Sequence, residues 1–320
     1  MARDLLAVGA GRAEAAAYVA DAARAWMAAG CLAPREVLEV QPAPHAVRRV
    51  RLDELTLDLR FSGEASPATF DPVFGQLYEA GERGAGDSAA GRLDLVGQDG
   101  LVFLLKDGEP LAAAPPPDAS ALLKAELTEA YVESVETGFL AHGALLVRGE
   151  ATLIVSGAPG AGKTTLTLAL ASSGWTYGGD DIVRIDPDAR VRGAPFAAAV
   201  KSGAWALAAR FAPDLLGLPI ALRADGQQVR YWRPARLADR APRAPTAVVL
   251  LARQAGAAAS LEAIAPLEAL HALVESAYAA HWRLDGDALA ALAGRLETAT
   301  CARLVYEDLD AAVALIESLG

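Results

Sequence analysis

The chain has 320 residues and a mass of 33.1 kDa, room for one large α/β domain with extensions or for two domains of the usual ~150 residues. With 53% hydrophobic and 22% charged residues and a mean hydropathy of +0.24 it is too apolar to be disordered, and no apolar run approaches the ~18 residues that cross a bilayer. A net charge of −11 and a pI of about 4.9 exclude general nucleic-acid binding, which requires clustered Lys and Arg, so a bound anion must be held by local features.

The opening MARDLLAVGAGR carries Arg3 and Arg12 with Asp4, and Glu14 close behind, and lacks a long apolar run, so it does not read as a secretory signal, and a cytoplasmic protein without a membrane partner is expected. Cys31 and Cys301 lie far apart without a metal-ligand spacing, so two buried thiols are expected rather than a disulfide or a zinc site. Only four of the 29 basic residues are lysines, namely Lys106, Lys124, Lys163 and Lys201.

In chain order, residues 13–29 carry Tyr18, Val19, Ala22, Trp26 and Met27 at helical spacing and stop at Gly30, which predicts an amphipathic helix within an extension over 1–45. Leu55, Leu57, Leu59 and Phe61 alternate within 47–61 as in one half-buried strand. The glycine-rich stretch 81–91 reads as a surface loop, and strands over 92–96 and 101–106 are joined by a Gly97/Gly100 turn and followed by an Asp107-Gly108 turn. Pro115, Pro116 and Pro117 close this small α+β region, 46–116, and Asp118 and Ser120 are candidate caps for a helix over 121–134. Beyond it, 117–320 reads as the main domain. Strands over 139–146 and 151–155 flank an Arg148-Gly149-Glu150 turn, and 246–251 and 303–306 read as further strands. Helices are predicted over 161–172, 266–278 and 286–298, with a short one at the end, so the pattern is α/β.

The strongest signal is Gly157-Ala158-Pro159-Gly160-Ala161-Gly162-Lys163-Thr164, which satisfies the GxxxxGK[ST] pattern of a P-loop and sits between an apolar strand, TLIVS, and a helix, TTLTLALA. Glycines let the backbone curl so that successive N–H groups face phosphate oxygens, and the following helix adds its positive end. In that chemistry Lys163 bridges the β- and γ-phosphates of a nucleotide such as ATP, and the Thr164 hydroxyl ligates Mg²⁺.

No apolar strand ends in the acidic residue that usually completes such a site, since AVVLL at 247–251 runs into Ala252 and Arg253. The candidate replacement is Asp180-Asp181, 17 residues after the lysine, where Gly178 and Gly179 are expected to loosen a strand entrance so that both carboxylates converge: one on Mg²⁺, the other on the proton of an attacking hydroxyl. A solvated turn is the alternative reading of two Asp after two Gly. His142, one strand ahead of the glycine loop, reads by itself as a core histidine, and His45, His271 and His281 as structural residues.

Residues 141–186, AHGALLVRGEATLIVSGAPGAGKTTLTLALASSGWTYGGDDIVRID, combine a His-Gly before the P-loop strand, the P-loop, and an Asp-Asp entering an aliphatic strand. In that three-part order the segment resembles the HPr kinase/phosphorylase family and the related HPr-kinase-like kinases. The resemblance implies the P-loop core shared with phosphoenolpyruvate carboxykinases, with a mixed sheet. It implies ATP binding by Gly157 to Thr165, Asp180 as the catalytic carboxylate, Asp181 as a partner on the Mg²⁺ side with Thr164, and His142 supporting Asp180. APFAAAVKSGAW at 194–205, VRYWRP at 229–234 and the closing ARLVYEDLDAAVALI extend the likeness, with Lys201 as a candidate for neutralising phosphate charge. The chain departs from the bifunctional enzymes in having Thr164-Thr165 where they favour Ser-Glu, in lacking an EIRG-like stretch, and in residues 1–116, which do not resemble their regulatory domain. The expected function is ATP/Mg²⁺-dependent transfer of a γ-phosphoryl group to a Ser/Thr-type hydroxyl of a protein or peptide, in a chain for which a homo-oligomer is compatible. A small-molecule alcohol as acceptor, and a nucleotide-binding scaffold without transfer, are the competing readings.

Overall fold

The computed structural model describes residues 21–22, 24–27, 42–79, 89–278 and 284–319. Most of the helix expected over 13–29, Cys31, the loop at 81–88 and His281 lie outside these. The chain divides into two compact units, one of residues Met1–Pro72, Tyr78–Glu126 and Ile220–Gln228, the other of Val73–Leu77, Leu127–Pro219 and Val229–Gly320.

In the first unit the alternation read as one strand is a hairpin of β1 (Ala46–Leu52) and β2 (Leu55–Gly63), paired antiparallel so that Leu52 faces Leu55. Asp53 takes a left-handed φ of 53°, which Asp tolerates better than most residues, and this lets a two-residue turn hide inside a continuous alternation. Arg49 forks onto its cross-strand partner Asp58 at 2.9 and 3.2 Å. Helix α1 (Pro67–Phe74) follows β2, and β3 (Gly91–Gln98) returns parallel to it. β4 (Leu101–Lys106) and β5 (Glu109–Ala114) complete a mixed sheet in the order β1-β2-β3-β4-β5. β5 was not foreseen, because Pro110 and three alanines give it little strand signature. Helix α2 (Pro116–Ser134) starts five residues earlier than expected, since proline suits the first helical turn. Asp118 therefore sits inside that turn, where its carboxylate accepts a hydrogen bond from the Leu222 N–H at 2.8 Å.

The second unit begins with a split strand. The run over 139–146 breaks at Gly143 into β6 (Phe139–His142) and β7 (Ala144–Arg148), which enter different sheets. β8 (Ala151–Gly157) pairs antiparallel with β7 and leads through the glycine loop into α3 (Lys163–Ser172). β9 (Thr176–Gly179), β10 (Ile182–Ile185), β11 (Val191–Gly193) and β12 (Ala198–Lys201) follow, then the short α4 (Trp205–Ala208). The intervening two-residue β13 (Ala221–Leu222) belongs to the first unit, and β14 (Gln228–Trp232) pairs with β12. β15 (Ala247–Arg253), β16 (Ser260–Ala263), α5 (Pro266–Glu275), β17 (Ala277–Tyr278), α6 (Gly286–Leu296), β18 (Thr300–Tyr306) and α7 (Leu309–Glu317) end the chain. The helix expected over 266–278 is thus shorter, its end turning into a strand on β6.

The six-stranded sheet runs β16-β18-β15-β8-β7-β9, with β8, β15 and β18 mutually parallel and the pairings β16–β18, β8–β7 and β7–β9 antiparallel, so the fold is mixed α/β. Strand alternation decides what covers each face. Ile154, Val248 and Leu250 pack with Leu273 of α5 and Leu292 of α6, whereas Leu153, Val155, Val249 and Leu251 pack with Leu166 and Leu170 of α3 and Ile316 of α7. A smaller antiparallel sheet, β11-β10-β6-β17, carries His142 and the strand after the Asp pair.

Candidate active site

The three central strands are parallel, so their carboxyl ends lie at one edge, where ligands collect in open α/β sheets. β8 reaches that edge at Gly157, opposite Leu251 of β15, and β15 reaches it at Arg253, opposite Tyr306 of β18. Between Gly157 and Lys163 the backbone turns through φ values of 149° at Gly157, 84° at Gly160 and 95° at Gly162, a left-handed series that side chains oppose. At Gly162 a Cβ would also lie 2.5 Å from the Tyr306 hydroxyl. That hydroxyl donates to the Ala161 carbonyl at 2.8 Å, and the Ala161 N–H closes a turn onto the Ala158 carbonyl at 3.1 Å.

Lys163, the first residue of α3, is buried to 7% exposure and its ammonium donates to the carbonyls of Gly157 at 2.7 Å and Ala158 at 3.4 Å. Burial lowers its pKa, and the negative charges of Asp180 and Asp181 push the other way. Lys201, at the end of β12, adds a lowering contribution, so its charge also bears on Lys163. Helix α3 has no side-chain cap; its first bond runs from Leu166 N–H to Gly162 O at 2.9 Å, leaving the amides ahead of it outside the helical ladder. Thr164 lies half-buried and Thr165 buried in this first turn.

Asp180 is buried in the bend between β9 and β10, and Asp181 next to it is half-buried. The preceding glycines are not the loosened entrance expected. They belong to β9, and a Cβ on Gly179 would meet the Ala194 carbonyl at 2.4 Å, so they serve close backbone packing that holds the bend in place. His142 faces Ile182 across β6 and β10, and its Nδ1 lies 2.9 Å from the Asp181 carbonyl oxygen. A carbonyl only accepts, so Nδ1 carries a hydrogen and the ring braces the main chain of the Asp pair. Gly143 N–H donates to the same oxygen at 3.3 Å, and the exposed Tyr278 ring meets the imidazole edge-on at 6.2 Å between centroids. Tyr177, fully buried with its hydroxyl donating to Phe196 O at 2.7 Å, feels both Asp charges, which with burial raise its pKa.

The charges of Asp180, Asp181 and Lys201 thus all act on Lys163, and His142 lies against the backbone of the Asp pair. Tyr306 was missed, because its role depends on the register of β18 against β15 and no local pattern in the sequence marks it. His45 belongs to the first unit, and His271 pairs with Glu275 at 3.6 Å along α5. Cys301 is buried, and burial pushes its thiol pKa up. Among the described residues no helix is long and apolar enough to cross a membrane, and no three His, Cys, Asp or Glu side chains form a metal-binding group. No protein-family model matches the chain, and no curated protein matches it.

Proposed function

We propose that Gly157 to Thr164 is a phosphate-binding loop and that the chain is an ATP- and Mg²⁺-dependent phosphotransferase acting on a Ser/Thr-type hydroxyl of a protein or peptide. One observation carries this reading: a buried lysine held by the carbonyls of a left-handed glycine loop at the head of a helix, under the field of two adjacent carboxylates. The Lys163 ammonium donates to neutral carbonyls, and a triphosphate chain would supply it with an anionic partner in direct contact. At Gly160 nothing lies within 4 Å of where a Cβ would sit, which leaves room for a phosphate oxygen to approach the main chain there.

Lys163 binds and neutralises the terminal phosphates. Asp180, which is buried, takes the proton of the acceptor hydroxyl as its oxygen forms the new P–O bond and the bond to the leaving diphosphate breaks. His142 keeps the Asp bend in position through the Asp181 carbonyl. Thr164 and Asp181 would hold Mg²⁺; one hydroxyl and one carboxylate suit an ion that keeps several waters and takes its remaining ligands from phosphate. When bound, Mg²⁺ offsets the negative charge spread over the transferred group.

The test is incubation of the purified protein with γ-labelled ATP, Mg²⁺ and panels of Ser/Thr peptides and small alcohols, with mass spectrometry of the products. Label on a peptide hydroxyl is the expected result, and label only on small alcohols moves the acceptor class. Bound ATP without transfer across both panels leaves a scaffold, and failure to bind nucleotide at millimolar concentration overturns the reading altogether.

A further inference from the structure

We propose that Tyr306 is a positioning residue of the glycine loop, its hydroxyl holding the Ala161 carbonyl so that the Gly162 amide is aimed at a bound phosphate. The inference rests on the phosphate-binding reading above.

Three features meet at this side chain. Tyr306 ends β18 beside Arg253, at the edge where β8 turns into the loop. Its hydroxyl donates to Ala161 O at 2.8 Å, and it occupies the position that a Cβ on Gly162 would need. The Ala161–Gly162 peptide is trans, so its carbonyl and its N–H point in opposite directions across one rigid plane. Anchoring the carbonyl on the Tyr306 side therefore turns the Gly162 N–H to the other side and removes the freedom of that plane to rotate. The next amides already follow the helix that begins at Lys163. Gly162 is the joint between loop and helix, and without an anchor its peptide would be free to flip, because glycine imposes no preference of its own. Burial raises the Tyr306 pKa more than neighbouring Arg253 lowers it, so the hydroxyl keeps its proton and remains a donor through the neutral range.

A preorganised amide contributes to affinity for phosphate because its orientation has been fixed before the ligand arrives. Removing the anchor should weaken phosphate binding without reducing the fraction of folded protein. The experiment is isothermal titration of wild-type protein, Tyr306→Phe and Lys163→Ala with Mg²⁺-ATP and, separately, with inorganic tripolyphosphate. The thermal midpoint of each protein is measured without ligand. The expected result for Tyr306→Phe is unchanged stoichiometry and a Kd raised about five- to tenfold, the loss of one anchored hydrogen bond, with the same factor for tripolyphosphate as for ATP.

An unchanged Kd in Tyr306→Phe, with wild type binding normally and Lys163→Ala not, overturns the role of Tyr306 while the phosphate site stands. A fall in stoichiometry at unchanged Kd does the same, because it marks Tyr306 as a residue of stability only. A weakening seen with ATP but not with tripolyphosphate also overturns it, placing Tyr306 against the nucleoside. Absence of binding by wild type removes the phosphate site, and this inference with it.

Discussion

Replacing Gly162 with alanine tests the loop and its tyrosine together, because the cost divides into two parts that neighbouring residues separate. At Gly160 the backbone is left-handed, with φ 84°, and a Cβ would meet nothing within 4 Å. Gly160→Ala should therefore cost only the conformational penalty of about 1–2 kcal/mol. Gly162 carries the same kind of penalty at φ 95°, but its Cβ would also sit 2.5 Å from the Tyr306 hydroxyl. That oxygen must move, which breaks its bond to Ala161 and disturbs a packed ring, adding about 1–2 kcal/mol. Gly162→Ala should thus destabilise by about 2–4 kcal/mol. Once Tyr306 is phenylalanine, the nearest remaining ring atom lies 3.8 Å away, an ordinary contact, and the added part disappears. Urea denaturation of the wild type, Gly160→Ala, Gly162→Ala, Tyr306→Phe and the Gly162→Ala/Tyr306→Phe double variant, followed by tryptophan fluorescence, should give a coupling energy of about 1–2 kcal/mol between positions 162 and 306. Equal costs for the two glycine replacements, together with additivity within about 0.5 kcal/mol, would refute the packing of Tyr306 against the loop.

Asp180→Asn should lower phosphoryl transfer by at least about 100-fold, as expected for loss of a general base, while leaving the Kd for Mg²⁺-ATP nearly unchanged; transfer of label beside a binding titration separates the two. Lys163→Met should weaken ATP binding by about 1.5–3 kcal/mol, the worth of a charge-assisted hydrogen bond, read in the same titration. Because burial lowers the Lys163 pKa in the folded state, the unfolded chain holds more protons at alkaline pH. Wild-type stability should therefore gain a rising contribution from the depressed folded pKa up to the ordinary lysine value of about 10.4, and denaturation curves of Lys163→Met should lack it. Asp285 caps α6 through the Asp287 and Ala288 N–H groups and also accepts the Gly138 N–H at 2.8 Å. Asp285→Ala should cost about 1–2 kcal/mol in urea denaturation at neutral pH. The Gly138 and Ala288 N–H groups hold its pKa down, so this stabilisation is complete above the unfolded value of about 3.9 and is lost as pH falls through the lower folded one. Acid unfolding should consequently differ between wild type and variant above that window and converge below it.

Local chemistry made much of this protein legible in its sequence. The apolar strand, three glycines, lysine and threonine at 152–164 mark one strand-loop-helix unit, because each residue type serves a conformation that its neighbours also require. Strands at 101–106, 182–185 and 247–251 followed from apolar runs between turn residues in the same way. Where two states share a local pattern, tertiary pairing decided. The alternation through Asp53 is equally that of one strand or of two, and only the facing of Leu52 with Leu55 chooses the hairpin. Gly143 divides a continuous apolar run because its neighbours pair in different sheets, with Ile182 facing His142 and Val155 facing Ala144. Gly178 and Gly179 read as looseness, yet they are packed tightly, since a glycine admits either a flexible chain or a backbone approaching too close for a Cβ. Tyr306 lies 145 residues beyond the carbonyl it holds. Its place at the loop arises from the parallel register of β18 on β15 and of β15 on β8, long-range hydrogen bonding that no short window of sequence encodes.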